Sequence, residues 1–344
     1  MTQTSFAFGL GLGTQNNKGE WLDTFYPSPL LNPSAELVEA VQSVLAPLQG
    51  NTAIAVSGEQ MAQIAEAISA ADSAQAATAA KLASGNQALV VTLLSSDDAP
   101  GSVPEAYLKL HLLSHRLVKP QSINLTGLFG ALPNVAWTNQ GAVDISELAE
   151  RQLQARLNGE MLEVMSVDKF PKMTNYVVPT GVRIAHTARV RLGAYLGEGT
   201  TIMHEGFVNF NAGTEGPGMI EGRISAGVMV GSGSDLGGGC STMGTLSGGN
   251  NIIISVGKEC LIGANAGVGI PLGDRCTIEA GLYITAGSVV TMIDADGAIA
   301  GTSKARELSG QSDLLFRRNS KNGAIEVLTN KSAIALNEML HAHN

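Results

Sequence analysis

VPTGVRIAHTARVRLGAYLGEGTTIMHEGFV, residues 178–208, counts in sixes: Val178, Ile184, Val190, Leu196, Ile202 and Val208 are evenly spaced. The count resumes at Ile224, Val230 and Leu236, then runs through Ile254, Cys260, Ala266, Leu272, Ile278, Ile284 and Val290. Four residues after these positions a small or apolar side chain recurs, as at Ala194, Thr200, Val228, Cys240, Ala264 and Cys276. Glycine often follows the aliphatic residue directly, as at Gly197, Gly231, Gly237 and Gly267. Self-similarity at so short a period is the mark of a parallel β-helix, each hexad being one short strand and a corner. Corners need residues that tolerate unusual backbone angles, and glycine collects there. An α-helix has a period of about 3.6 residues and an amphipathic strand a period of two, and neither keeps a strict six. Three hexads make a triangular coil of about 18 residues, so the run amounts to roughly five coils. The competing fold is a sandwich of short strands.

A solenoid has neighbour contacts only, so its ends need covers. The 344 residues leave room for them. The division expected is an α/β N-terminal domain over 1–168, the β-helix over 178–292, and a C-terminal hairpin and helix cap over 300–344. A net charge of −9 argues against an extended nucleic-acid footprint, which wants a basic face. No stretch approaches the ~20 apolar residues of a membrane span, and the N-terminus has no basic n-region of a signal peptide. Cys240, Cys260 and Cys276 all fall on repeat positions that face the prism; an odd, unclustered set reads as small buried hydrophobes. The compartment expected is therefore reducing, most simply the cytoplasm.

Residues 4–12 read as a strand. Asn32-Pro33 opens a helix with proline at its first position, and Ser57 with Gln60 forms a capping box for a second. Gln87–Leu94 reads as a buried strand and Pro104–Val118 as an amphipathic helix. His111 and His115 on that helix are spaced i, i+4, which suits half a metal site, but no third ligand is signalled and a solvated or packed pair is the plainer expectation. Asp144 with Glu147 caps a further helix. Leu314–Arg318 and Ala324–Thr329 pair as a hairpin around Asn322-Gly323, and Lys331–Leu340 is a short closing helix.

Two interruptions of the count are where chemistry is expected, because loops on rigid scaffolds carry sites. One is NFNAGTEGPG, residues 209–218; the other is the glycine-rich TMGTLSGGNN, residues 242–251. Between them Glu221 and Arg223, two apart on a strand, project to the same side. The bland reading is a surface ion pair. Lys304, Arg306, Arg317 and Arg318, just past the helix, are cations of the kind that phosphates need, or a solvated patch.

MHEGFVNFNAGT (203–214), EGRISAGV (221–228), GGGCSTMGTLSGGN (237–250), EAGLYITAGS (279–288), KARELSG (304–310) and LLFRRNS (314–320), with LHLLSHRLVKP (110–120) and LPNVAWTNQG (132–141), resemble the long form of tetrahydrodipicolinate N-succinyltransferase. The resemblance covers most of residues 105–329. It implies a left-handed hexapeptide-repeat helix, a homotrimer, and transfer of succinyl from succinyl-CoA to tetrahydrodipicolinate in the diaminopimelate–lysine pathway. Glu221 matches the family's catalytic carboxylate, described in the long form as an acyl-anhydride nucleophile. Arg223, Gly238, Ser241, Ala264, Glu279, Ala280, Gly287, Lys304, Arg317, Arg318, Asn319 and Ser320 match positions that contact succinyl-CoA. Glu205 matches a magnesium ligand on the trimer axis; Ala188 stands where some members have an aspartate, so a second metal carboxylate is missing.

Two mechanisms are open at this stage. Glu221 either attacks the thioester to form a mixed anhydride, or removes a proton from the substrate amine as the amine attacks directly. The second has the simpler chemistry, since a neutral amine is already a good nucleophile towards a thioester. Other functions on the same scaffold are less well matched. A γ-type carbonic anhydrase needs three converging histidines, and only His186 and His204 lie in the repeat. An ice-binding or structural β-helix would show an unbroken flat face, and another CoA-dependent acyltransferase should lack the NFNAGT and LFRRNS words.

Overall fold

The computed structural model describes residues 5–45, 48–244 and 252–329. The chain forms two compact units: residues up to Val118 with Ser122–Pro171, and Lys119–Gln121 with the described residues from Lys172 onward.

In the first unit the central strands Ala7–Gly13 and Ala88–Leu94 pair antiparallel over seven residues, flanked by Leu30–Leu31 and Thr52–Val56. Both central strands are apolar nearly throughout, and Phe8, Leu10, Leu89, Val91 and Leu93 are buried with Leu37, Val41, Met61 and Ile64 of the helices. The first helix, Ala35–Val44, is capped by Ser34, whose Oγ accepts from Leu37 N at 3.2 Å. Pro33 therefore precedes the cap instead of occupying the first helical position; serine supplies an acceptor for an orphan N–H, which proline cannot. The Ser57–Gln60 capping box forms as expected. The alanine-rich tract after it is two helices, Gly58–Ala67 and Ser73–Ala83, separated where Asp72 caps the second. A second antiparallel sheet contains Val135–Thr138, Gly141–Asp144 and Val164–Asp168, and Asp144 caps the helix Ile145–Leu157. The strands Thr52–Val56, Val135–Thr138 and Gly141–Asp144 have weak sequence signals and are additions to the expected list.

The second unit is three parallel sheets visited in rotation, the topology of a parallel β-helix. One sheet contains Arg183–Ile184, Thr200–Ile202, Gly218–Ile220, Asp235–Leu236, Leu261–Ile262 and Thr277–Ile278; a second contains Phe207–Val208, Arg223–Ile224, Ser241–Thr242, Gly267–Gly269 and Tyr283–Thr285; the third contains Ala194–Leu196, Ala212–Thr214, Met229–Val230 and Ser255–Val256. The register measures the coils. Ile184 pairs with Ile202 and Ile202 with Ile220, each 18 residues on. Val208 pairs with Ile224 and Ile262 with Ile278, 16 on, while Val230 pairs with Val256, 26 on.

These offsets relocate the first interruption. NFNAGTEGPG is ordinary coil: Thr214 and Ile220 take the next two inward positions at spacing six, and both are buried. Threonine in an aliphatic slot hides the continuity. The two missing residues are at the following corner, where Ile220 to Ile224 is four residues in place of six. That corner is Glu221-Gly222-Arg223. The second interruption is an eight-residue lengthening between Thr242 and Val256, and its residues 245–251 lie outside the described residues. Beyond the last coils, Leu314–Arg318 and Ile325–Thr329 form the expected hairpin, and Leu315 and Phe316 pair in parallel with Thr277 and Ile278. The expected closing helix, 331–340, also lies outside the described residues.

Candidate active site

Glu221 stands on a corner, one residue past the strand Gly218–Ile220 and two before Arg223. The sequence expectation of both on one strand is thereby corrected: the shortened corner puts the turn between them. Glu221 N–H donates to Leu236 O at 2.8 Å, and Arg223 N–H to Cys240 O at 2.8 Å, fixing both to the next coil. That coil presents Gly237-Gly238-Gly239 at the same corner. A Cβ built on Gly238 would lie 3.3 Å from Glu221 Oε2, so the carboxylate rests against a position with no side chain. On the adjoining face Arg223 pairs in register with Ser241. Glu221, Gly238, Arg223 and Ser241 are thus brought together on neighbouring coils.

The corner repeats up the prism. Ile220, Leu236, Ile262, Ile278 and Phe316 are successive register partners. Gly237 N donates to Ile262 O, Gly263 N to Ile278 O and Glu279 N to Phe316 O, at 2.8, 2.8 and 2.9 Å. Counting two residues past each strand position gives Gly222, Gly238, Ala264, Ala280 and Arg318 in one row. Ala264, Ala280 and Arg318 are exposed and Gly238 is half-exposed. Four steps of about 4.8 Å span roughly 19 Å from the coil of Glu221 to that of Arg318. Small side chains along the row leave the corner backbone open.

At the far end, Glu279 Oε2 accepts from Arg318 N–H at 2.7 Å and so docks the hairpin. Arg317 Nε donates to Glu326 Oε2 at 2.9 Å, Asn319 Nδ2 to Glu326 Oε1 at 2.7 Å, and Lys321 N–H to Asn319 Oδ1 at 2.9 Å. Asn319 thus spends its side chain within the turn. Ser320 is exposed beside it. Gly287 and Lys304 are not in the row: both are at the next corner, where Lys304 pairs with Val289.

Sequence reading missed two neighbours of this surface. Tyr283 pairs in register with Gly267; a Cβ on Gly267 would collide with its ring. Glu326 was missed because a two-residue Asn322-Gly323 turn would pair Arg317 with Leu328; the connection formed is Ser320–Gly323, which sets Arg317 opposite Glu326.

Glu205 lies on the full-length corner one coil before Glu221, exposed, its backbone oxygen accepting from Arg189 Nη2 at 2.7 Å. Among the described residues no three His, Cys, Asp or Glu gather to hold a metal. His111 and His115 are a packed pair with ring centroids 6.0 Å apart. The three cysteines are free and buried, and burial pushes the Cys240 thiol up to about 12. No helix among the described residues is long and apolar enough to cross a membrane.

Family models match over 39–130 (tetrahydrodipicolinate N-succinyltransferase N-terminal), 132–172 (tetrahydrodipicolinate N-succinyltransferase middle) and 253–286 (hexapeptide repeat of succinyl-transferase). The chain is 70% identical over its whole length, and that of the relative, to a 2,3,4,5-tetrahydropyridine-2,6-dicarboxylate N-succinyltransferase of Pseudomonas putida. It is 57% identical to that of Vibrio cholerae, over 98% of this chain and 99% of the other. A crystal structure of a putative 2,3,4,5-tetrahydropyridine-2-carboxylate N-succinyltransferase from Campylobacter jejuni superposes with a TM-score of 0.86 at 33% identity, over 96% of this chain and 94% of that one.

Proposed function

Because the chain belongs to the tetrahydrodipicolinate N-succinyltransferase family, we propose that Glu221 is its catalytic carboxylate and that the corner row from Gly238 to Arg318 seats succinyl-CoA. The reaction moves succinyl from succinyl-CoA to the amine of tetrahydrodipicolinate, as L-2-amino-6-oxopimelate, and releases CoA. The observation that carries the reading is the row itself: Glu221 beside one end, Gly238, Ala264 and Ala280 on three successive coils, and Arg318 with neighbouring Arg317 at the other. An extended pantetheine arm fits such an edge, hydrogen-bonding to corner backbone, with the phosphates against the arginines.

In the mechanism we favour, Glu221 is a general base. The amine nitrogen attacks the thioester carbonyl, Glu221 takes the proton the nitrogen sheds, and the C–S bond breaks to give the amide and CoA thiolate. Arg223, two residues along the chain, is placed to hold a substrate carboxylate. The helix is taken as left-handed and the protein as a homotrimer, with the groove completed at a seam between subunits; both rest on the resemblance to hexapeptide-repeat acyltransferases.

Thiol release from succinyl-CoA, followed in a single turnover, tests the role of Glu221. Direct attack predicts release only when the acceptor is present, no succinyl adduct in the intact mass, and about a thousandfold loss of kcat in Glu221→Gln with succinyl-CoA still bound. A burst of thiol without acceptor, matched by a succinyl adduct on Glu221, would replace this mechanism with the anhydride route.

A further inference from the structure

The cation-rich hairpin turn is held by a carboxylate that none of the readings above uses. Glu326 has a side chain only 10% exposed, while that of Arg317, directly opposite in register, is 46% exposed. Phe316 and Val327 form the buried face of the hairpin, so Arg317 and Glu326 belong to the other face. The two Glu326 oxygens are divided between two donors, Arg317 Nε at 2.9 Å and Asn319 Nδ2 at 2.7 Å. These donors hold the carboxyl below the usual carboxylate range, Asn319 first and Arg317 second. Among the described residues, neither Nη1 nor Nη2 of Arg317 has a hydrogen-bond partner. A guanidinium gripped through Nε keeps its end-on fork, the edge that binds two oxygens of a phosphate. A long, unheld arginine would lose rotamer freedom on meeting the phosphate, a cost the grip removes beforehand.

We propose that Glu326 is a positioning residue for succinyl-CoA: through Arg317 Nε and Asn319 Nδ2 it sets the turn 317–321 so that the Nη1–Nη2 edge of Arg317 faces a phosphate of the CoA nucleotide. This rests on the reading that residues 317–320 bind the nucleotide end of succinyl-CoA. Glu326 acts through Arg317 and touches no reacting atom, so its loss moves binding and leaves the chemical step alone.

The test uses the full-length enzyme and two acyl donors, succinyl-CoA and succinyl-pantetheine, which lacks the nucleotide. Glu326→Gln keeps the side chain's volume and turns an N–H towards Arg317. It is expected to raise KM for succinyl-CoA about tenfold, the scale of one charge-assisted hydrogen bond, with kcat unchanged and kcat/KM for succinyl-pantetheine unchanged. Combined with Arg317→Ala it should add nothing further. Equal losses with both donors, or a fall in kcat, would mean that Glu326 only supports the fold and would overturn the proposal. So would an unchanged KM in Glu326→Gln where Arg317→Ala raises it. An unchanged KM in Arg317→Ala itself would instead remove the nucleotide reading, and the proposal with it.

Discussion

Gly238 is half-exposed and without a positive φ, and the one neighbour a side chain there would meet at its Cβ is the Glu221 carboxylate. A Cβ there would press on Glu221 Oε2 at 3.3 Å. Valine would push two further methyls into the space where, on the proposed reading, the thioester meets the carboxylate. Gly238→Val is expected to cut kcat/KM about a hundredfold, the usual cost of moving a reacting group by around an ångström. Its melting temperature should stay close to that of the parent, because the corner is partly open; steady-state kinetics beside a thermal melt checks both. The glycines also show how sequence can give the right residue for the wrong reason. Gly197, which follows an aliphatic residue, does not need an unusual φ: a Cβ there would overlap the carbonyl of Glu215 on the next coil. The left-handed corner position is filled by residues such as Gly239, at φ +72°, and by Asn265 and Arg275, which no count of glycines would find.

The helix Val103–Ser114 is buried along nearly its whole length, and polar groups on it must find partners inside. Lys109 does so by donating to Asp97 Oδ1, Asp98 O and Asn124 O at 2.6, 2.6 and 2.8 Å. His111 does so as a neutral ring: Tyr26 N–H donates to Nε2 at 3.3 Å, and Nδ1 lies 2.8 Å from Tyr107 O. Burial pulls its pKa down to about 3 from 6.5, and neighbouring His115 is lowered for the same reason. Protonation therefore favours the unfolded chain. The stability that the neutral ring confers is complete above pH 6.5 and drains away as pH falls towards 3. At pH 5 the loss from His111 is about 2 kcal/mol. Urea midpoints measured from pH 7.5 to 4.5 should fall accordingly, and His111→Gln, less stable at neutral pH, should have a flatter profile. A parent curve as flat as the variant's would show that the ring does not resist protonation. The i, i+4 histidine spacing is legible in sequence; the absence of a third ligand leaves solvated and packed rings equally open, and only the burial of the helix decides for packing.

Across the whole molecule, the sixes identify the solenoid but not its phase. Each strand points two residues inward, two apart, such as Cys260 with Ile262 and Cys276 with Ile278, and all four are buried. A deletion of two residues therefore moves the count from one inward row to the other without breaking it. The apparently continuous run Ile254–Val290 crosses such a deletion between Val268 and Leu272, where Leu272 N donates to Ser255 O. Cys260 and Ala266 belong to the first inward row and Ile278 and Ile284 to the second. Coil register, and with it the row of corners, is invisible until strands are paired. The row turns the resemblance at Ala264 and Ala280 into a prediction about where along the prism a side chain matters. Ala264→Leu and Ala280→Leu each fill one rung between Glu221 and Arg318, and each should raise KM for succinyl-CoA about tenfold, near 1.4 kcal/mol of lost binding. Ala185, one residue past Ile184 at the same corner, lies two coils beyond Glu221 in the other direction, tied by its N–H to Ile202 O at 2.8 Å. Ala185→Leu should leave KM unchanged. Initial rates over a range of succinyl-CoA distinguish the cases: a seat that ran along any other edge of the prism would leave the Ala264 and Ala280 variants as indifferent as the Ala185 one.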